Sequence, residues 1–496
     1  MTNTATLAAA LAVSLAALCC TSAVWAQSAA TPAASPDTSP ATSPATSPAA
    51  PDFPKDMPGF GADPVLPAFK IARSRLPNGL EVWVVPRIGL PRVDAVLAVR
   101  GAGSAADGPQ QAGFTALLAD LLTEGTQQRD ARTLAQDVQA LGGSLSASTS
   151  ADGITLGAQA LASQAGPLLQ LLAEVARQPA FADGEVQLAR GNALQALKAS
   201  RAQPGFRAEG AMGKALYGEH AYSRSQPTET GIAAATPAAL RLAHAQRFRP
   251  ERALLVIAGR VTVAQGQALA RAAFGGWKNS GEAAPATPAA PHQAEPVRML
   301  LERPGSVQAT LRLGRLAAPA SGPDLVPLRV ATAVLGDGFT SRINLNLRED
   351  KGYTYGASLR ARPWRDGGAL VGGADVRNEV TGASLTEFQS EFRRMANEPV
   401  PQRELQETQR YLAGSYLVGL QTQDAVAGAL ARNWVVGLPA THLLDYVAKV
   451  RAVTAPQVQA IAKKYFAPEA YSIVVVGDPA VAPQLAPFGK FEVFKP

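Results

Sequence analysis

The spacing of apolar residues changes period several times along this chain, and each change marks an element. Glu81 to Pro86 and Asp94 to Arg100 are apolar runs of strand length. From about Gln111 the period lengthens: Phe114, Leu117, Leu118, Leu121 and Leu122 recur at i, i+3, i+4, i+7 and i+8, which predicts a helix with one core-facing side. A second helix is predicted over about Ala131 to Leu141. Ser144 to Thr149 and Ile154 to Leu161 then read as a hairpin closed by Asp152-Gly153, a pair expected to supply positive φ cheaply. Ser144, Ser146 and Ser148 alternate along the first of these strands, the pattern of a solvated face rather than of nucleophiles. Helices are predicted over about Pro167 to Arg177 and Gly184 to Ala202. Strands clustered among pairs of helices imply α+β layers, not alternating βαβ units.

The pattern repeats. Thr236, Phe248, Pro250, Glu251 and Gly259 match Thr454, Phe466, Pro468, Glu469 and Gly477 without a gap. In both copies a helical stretch runs into a Phe-x-Pro-Glu turn and then an apolar strand, Ala253 to Gly259 and Tyr471 to Gly477, each short enough to be a buried sheet strand. A looser echo pairs Val93-Asp94-Ala95-Val96-Leu97 with Val307-Gln308-Ala309-Thr310-Leu311. Two echoes in the same order argue for duplication. Glu282 to Glu295, rich in Pro and Ala, is read as the linker between a domain at 67–281 and a second at 296–496.

Before the first domain, Leu7 to Ala23 is an Ala/Leu/Val run, and Val24-Trp25-Ala26-Gln27 suits cleavage after Ala26. The expectation is a signal peptide over 1–26 and export to the periplasm of a Gram-negative bacterium, although no Lys or Arg precedes Lys55; a retained membrane anchor is the alternative. Residues 27–66 form a Pro/Ala/Ser/Thr tract that lacks the apolar groups to offset ordering and is read as a solvated tether.

Composition narrows the chemistry. Apolar residues make up 47% of the 496 and charged residues 17%, enough for substantial cores. Both cysteines, Cys19 and Cys20, lie in the expected leader, so a mature chain that has lost it would have no thiol chemistry. The net charge of +7 is spread along the chain without a basic tract, and no nucleic-acid partner is expected. The four histidines, His220, His244, His292 and His442, are far apart. His220 is read as structural, His244 as a packing or surface residue, His292 as part of the linker, and His442 as carrying no site signal.

Local motifs carry a family resemblance. Leu76-Pro77-Asn78-Gly79-Leu80 leads into the first strand, Gly113 precedes Glu124-Gly125-Thr126, and Leu141-Gly142-Gly143 precedes the hairpin. Later come Ser341-Arg342 and Leu347-Arg348-Glu349-Asp350-Lys351-Gly352-Tyr353-Thr354-Tyr355, the most specific signature. Over about residues 70 to 490 the chain resembles the insulinase/pitrilysin-type metallopeptidases, which include the mitochondrial processing peptidase subunits. The resemblance implies two tandem homologous α/β-roll domains, each a mostly antiparallel sheet packed against helices. It also implies a catalytic helix with H-x-x-E-H, whose two imidazoles bind zinc and whose glutamate deprotonates the bound water. Counted back from Gly125-Thr126, those places hold Ala116, Ala119 and Asp120, expected together on a face away from the core. The family's third ligand, a glutamate on a later helix, corresponds to Ala196, or to Gln195 if the alignment shifts by one.

In the family the second half contributes an Arg and, seven residues on, a Tyr that bind substrate, a spacing that Arg348 and Tyr355 have here. Tyr353 is the rival phenol, on the same face as Tyr355 if the segment is extended. A cation and a phenol suit a peptide carbonyl and the charge that develops on it. The resemblance thus implies a non-catalytic, substrate-binding subunit of a heterodimeric zinc peptidase. No metal would be bound by this chain, zinc would sit in a homologous partner subunit with the intact motif, and the substrate would be a peptide or unfolded polypeptide. A homo-oligomeric peptide-binding or scaffold protein is the alternative, and an autonomous enzyme ranks last because no nucleophile–base constellation stands out.

Overall fold

The computed structural model describes residues 70–292 and 294–495; the leader and the tether lie outside them. In the first half the chain runs through β1 (Ala72–Arg75), β2 (Glu81–Pro86) and β3 (Arg92–Arg100) to α1 (Phe114–Leu121) and α2 (Ala131–Ala140). The hairpin β4 (Ser144–Thr149) and β5 (Gly153–Leu161) follows, then α3 (Ala165–Arg177), α4 (Asp183–Arg201), α5 (Pro204–Tyr217), α6 (Glu229–Ala233), α7 (Pro237–Arg247), β6 (Ala253–Gly259) and α8 (Val263–Phe274). The second half begins with β7 (Arg298–Glu302), β8 (Gln308–Ala317), α9 (Leu325–Leu335) and α10 (Arg342–Asn344), which continues as a π-helix over Leu345–Asp350. Then come β9 (Thr354–Pro363), β10 (Gly368–Arg377), α11 (Thr381–Asn397), α12 (Gln402–Val418), α13 (Gln423–Val435), α14 (Thr441–Ala452), α15 (Ala455–Tyr465), β11 (Ser472–Gly477) and β12 (Glu492–Phe494).

The two sheets repeat one topology. Their orders are β1-β2-β6-β3-β5-β4 and β12-β7-β11-β8-β10-β9, so five strands correspond one to one and only the outermost strand differs. Each sheet is mostly antiparallel, with β2 parallel to β6 and β7 parallel to β11 at equivalent places. The residues that echo in sequence also occupy equivalent positions. Thr236 caps α7 and Thr454 caps α15, each accepting from the backbone N–H three residues on. Phe248 and Phe466 end those helices, and β6 and β11 are buried at every residue, as a central strand covered on both faces must be.

What covers the second face of each sheet is an exchange. One face of the first sheet packs on its own helices, among them α1, α3 and α8. Its other face, with Trp83, Val85, Leu254 and Val256, is covered by Val426, Leu430 and Trp434 of α13 from the second half. Reciprocally, Met212 and Leu216 of α5 cover Leu316, Val371, Val474 and Val476 of the second sheet. At about 25 cal/mol per Å² of apolar surface, each exchanged helix fixes the two halves together. Arg100 reinforces the contact, stacking 3.9 Å over the Trp434 ring and donating to the Trp434 carbonyl.

The β4–β5 turn departs from the sequence expectation, because Gly153 does not adopt positive φ. It is glycine for space: a Cβ there would meet the Val99 carbonyl at 2.7 Å and Val435 of α13 at 3.0 Å. Asp152 beside it is buried and accepts from the Tyr222 hydroxyl (2.6 Å) and from the Arg365 backbone N–H (2.9 Å) in the β9–β10 turn. The Pro/Ala tract after α8 lies along the first half, where Ala284 donates to the Gln246 carbonyl (3.1 Å) and Thr287 to the Ala105 carbonyl (3.3 Å). No helix of the described residues is long and apolar enough to cross a membrane.

Candidate functional site

Helix α1 starts at Gly113, whose φ of 94° is left-handed and whose missing Cβ leaves room for Pro227. With no side-chain cap, the first turn is held from outside. Asp107 accepts from the Thr115 backbone N–H (3.0 Å) and its hydroxyl, and Arg247 donates to Asp107 (3.1 Å), to the Thr115 hydroxyl (2.7 Å) and to the Ala106 carbonyl (3.1 Å). Asp107 and Arg247 are both buried, and burial pushes the Asp107 carboxyl up while Arg247 opposes that shift. Phe114, Leu117, Leu118, Leu121 and Leu122 all face the core.

Ala116 and Asp120, one turn apart, are exposed. Ala119 is not with them: it is 1% exposed and packed into the core, contrary to the expectation of a shared outer face. The reason is packing, because α1 lies against both β4 and α4, and a methyl group lets that closure form. Ala196 and its neighbour Gln195 are both exposed on α4. Asp120's side chain reaches solvent, yet the packed surface around it pushes its carboxyl up. Burial, with Glu185 and Asp120 adding like charge, does the same to Glu124. Zinc takes three or four N, S or O ligands. Ala116, Asp120 and Ala196 at the three ligand places do not fit it, Ala119 offers no general base, and among the described residues no three His, Cys, Asp or Glu side chains are grouped to hold a metal ion.

The second-half motif is a folded polar unit. Arg342 is buried and forks onto Glu404 through Nε (2.8 Å) and Nη2 (2.6 Å). Buried Asn344 donates to the Phe339 carbonyl (2.7 Å) and accepts from the Ala357 N–H of β9 (3.1 Å), tying the loop before α10 to the strand after the π-helix. The π-helix carries Arg348, whose guanidinium stacks 4.4 Å over the Phe339 ring and pairs with Glu349 at 3.1 Å. Tyr355, on the first turn of pleat in β9, is 91% exposed. Tyr353 precedes the strand, donates its N–H to the Leu347 carbonyl (2.8 Å) and packs half-buried against the second core. The two tyrosines therefore do not share a face. Glu404, Asn344 and Phe339 were not singled out from the sequence; Glu404 and Asn344 are distant or unremarkable polar residues, and Phe339 in Gly338-Phe339 was the one available signal.

The structure packs α1 against α4, and the π-helix against β9. No hydrogen bond or ion pair joins the first pair to Arg348 or Tyr355 among the described residues. His220 accepts from the Tyr222 N–H (3.2 Å) and meets the Pro288 carbonyl at 2.9 Å, a structural role. His244 is half-buried, stacked on Phe248 with centroids 4.5 Å apart and 2.9 Å from the Ala176 carbonyl, and desolvation lowers its pKa to about 4. His442 lines a cavity in the second half, a place the sequence did not signal.

A duplicated α+β chain with interlocked halves and these motifs defines a peptidase-like fold of two tandem domains. The model of the "Insulinase (Peptidase family M16)" matches residues 92–227, and that of the "Peptidase M16 inactive domain" matches residues 234–412. The chain belongs to the insulinase family, peptidase family M16. An uncharacterized zinc protease of Mycobacterium leprae is 27% identical over 400 residues, covering 79% of this chain and 88% of that protein. The uncharacterized zinc protease YmxG of Bacillus subtilis is 23% identical over 410 residues, covering 82% and 98%. The crystal structure of a peptidase M16 inactive domain from Pseudomonas fluorescens superposes with a TM-score of 0.77 at 25% identity, covering 82% of this chain and 98% of that one. A protease from Helicobacter pylori shares the fold, with a TM-score of 0.76 at 20% identity, covering 82% and 100%.

Proposed function

We propose that this chain is the substrate-binding, non-catalytic subunit of a periplasmic heterodimeric M16 peptidase. A homologous subunit with an intact H-x-x-E-H helix carries the zinc, and the pair acts on peptides or unfolded polypeptides. The observation that carries the reading is the contrast between Ala116, Ala119, Asp120 and Ala196 on an intact α1/α4 scaffold and the supported Arg348–Tyr355 segment. Arg348, held by Phe339 and Glu349, donates to the carbonyl of a bound peptide, and the exposed Tyr355 hydroxyl donates beside it. Both donors favour the negative charge that grows on that oxygen as the bond is attacked. Exposure of Tyr355, against a Tyr353 half-buried on the second core, supports Tyr355 as the working phenol.

The test is reconstitution. Mixing the purified chain with its zinc-motif homologue is expected to give zinc-dependent peptide hydrolysis that neither protein shows alone. Arg348→Ala and Tyr355→Phe are expected to lower kcat in the mixture. Full activity in both variants removes the assigned roles, and a stable homodimer that captures no zinc-motif partner favours a peptide-binding scaffold instead.

A further inference from the structure

A cavity of about 540 Å³ opens in the second half, where β8, β9 and β10 meet α9, α12, α13 and α14. Its size lies within the roughly 300–1,000 Å³ of small-molecule sites. None of Arg348, Tyr353 or Tyr355 lines it, so it is separate from the segment discussed above. The walls are aliphatic, from Leu328, Ala361, Pro363, Ala369 and Val436. The polar lining groups are Arg329, Arg362, Arg432, Asn433, His442 and two tyrosines; no Asp or Glu is among them.

Charge counting selects the ligand. Arg329 is already paired with Asp337, and Arg362 with Glu209 at 2.9 Å. Arg432 makes no ion pair and no side-chain hydrogen bond among the described residues. Its guanidinium lies back along α13 over Gly428, where a Cβ would approach Nη1 to 3.0 Å. The side chain of Asn433 beside it is equally without a hydrogen bond. His442 is half-buried, and desolvation, helped by Lys449 and opposed by Asp445, lowers its pKa, so it adds no charge at neutral pH. The cavity therefore offers one uncompensated positive charge at the edge of an apolar volume. A dianion would bring more charge than the site balances, and a neutral lipid would gain nothing from Arg432, which is exposed at the rim and free to pair with a carboxylate.

We propose that this cavity binds a small amphiphilic monoanion, an apolar chain ending in a carboxylate, with the carboxylate on Arg432 and Asn433 and the chain along the aliphatic walls. The ligand bridges the second sheet and α13, the helix that covers the first sheet.

The experiment is calorimetric titration of the full chain with decanoate, with decan-1-ol as the uncharged control. Saturable binding of one decanoate per chain is expected, with decanol at least about tenfold weaker because a charge-assisted hydrogen bond is lost. Arg432→Ala is expected to weaken decanoate by about tenfold while leaving decanol unchanged, and Arg432→Lys to retain most of the affinity. Ala361→Phe, on an edge strand, is expected to abolish binding by filling the cavity, with circular dichroism verifying the fold. Equal affinity for decanoate and decanol overturns the proposal. So does undiminished decanoate binding by Arg432→Ala, or non-saturable uptake of several molecules per chain.

Discussion

On α1 and α4, Ala116, Asp120 and Ala196 stand in solvent, and the Asp120 carboxylate makes no hydrogen bond or ion pair among the described residues. On the segment from Ser341 to Tyr355, a bidentate Arg342–Glu404 pair, an Asn344 bridge and a Phe339–Arg348 stack hold side chains in place. Both segments sit in the same topology, yet in the first half the polar investment lies behind the helix, in Asp107, Thr115 and Arg247, where it fixes α1. The comparison separates two uses of polar residues. In the first half they preserve a scaffold, and in the second they orient groups that reach solvent.

The largest effect should come from the scaffold. Asp107→Ala leaves Arg247 charged and unpaired in the interior and is expected to cost about 3–5 kcal/mol in urea unfolding. A loss below about 1 kcal/mol would mean that α1 is held by packing alone. The places where the family carries its H-x-x-E-H residues sharpen the contrast further. Ala119→Glu forces a carboxylate into the core and is expected to destabilise by about 3 kcal/mol or more, whereas Asp120→Ala should stay within about 0.5 kcal/mol. Equal tolerance of both would place Ala119 on the outer face after all.

His244 gives a comparable effect through pH. Its folded pKa of about 4 lies below the unfolded 6.5, so the unfolded chain binds more protons between those values. Its contribution, about 3 kcal/mol by linkage, is complete above pH 6.5 and is lost as pH falls through about 4. Stability measured from pH 7 to 4.5 should fall less steeply in His244→Gln than in the parent. Identical slopes would contradict the assignment. The smallest stability effect belongs to Arg348→Ala, expected within about 0.5 kcal/mol because the side chain is partly solvated, while binding of a peptide substrate weakens.

Much of the fold was legible because period alone specifies it. The apolar ladder of Phe114 to Leu122 gave α1, alternation gave β4, and the echo of Thr236 to Gly259 in Thr454 to Gly477 gave two equivalent helix–turn–strand units. The exchange of α5 and α13 was not legible, because an apolar helix face does not encode which sheet it will cover. Ala119 was misplaced for a similar reason: alanine suits core and surface alike, so only its neighbours decide. The Asp107–Arg247 pair and the Arg342–Glu404 fork join residues far apart in sequence, and the cavity at Arg432 is built from seven separate elements. Arg348 and Tyr355 could be found only through a motif whose spacing resembles the family's, since no local pattern marks them.

The central claim is that this chain holds substrate for a metal carried by another. Zinc-dependent peptide hydrolysis, measured for this chain, for its zinc-motif homologue and for an equimolar mixture, tests it most directly. The account predicts negligible activity from each alone, activity in the mixture, and a kcat about 10²-fold lower when Arg348→Ala replaces the parent in that mixture. Stoichiometric zinc and peptide hydrolysis by this chain alone would contradict it.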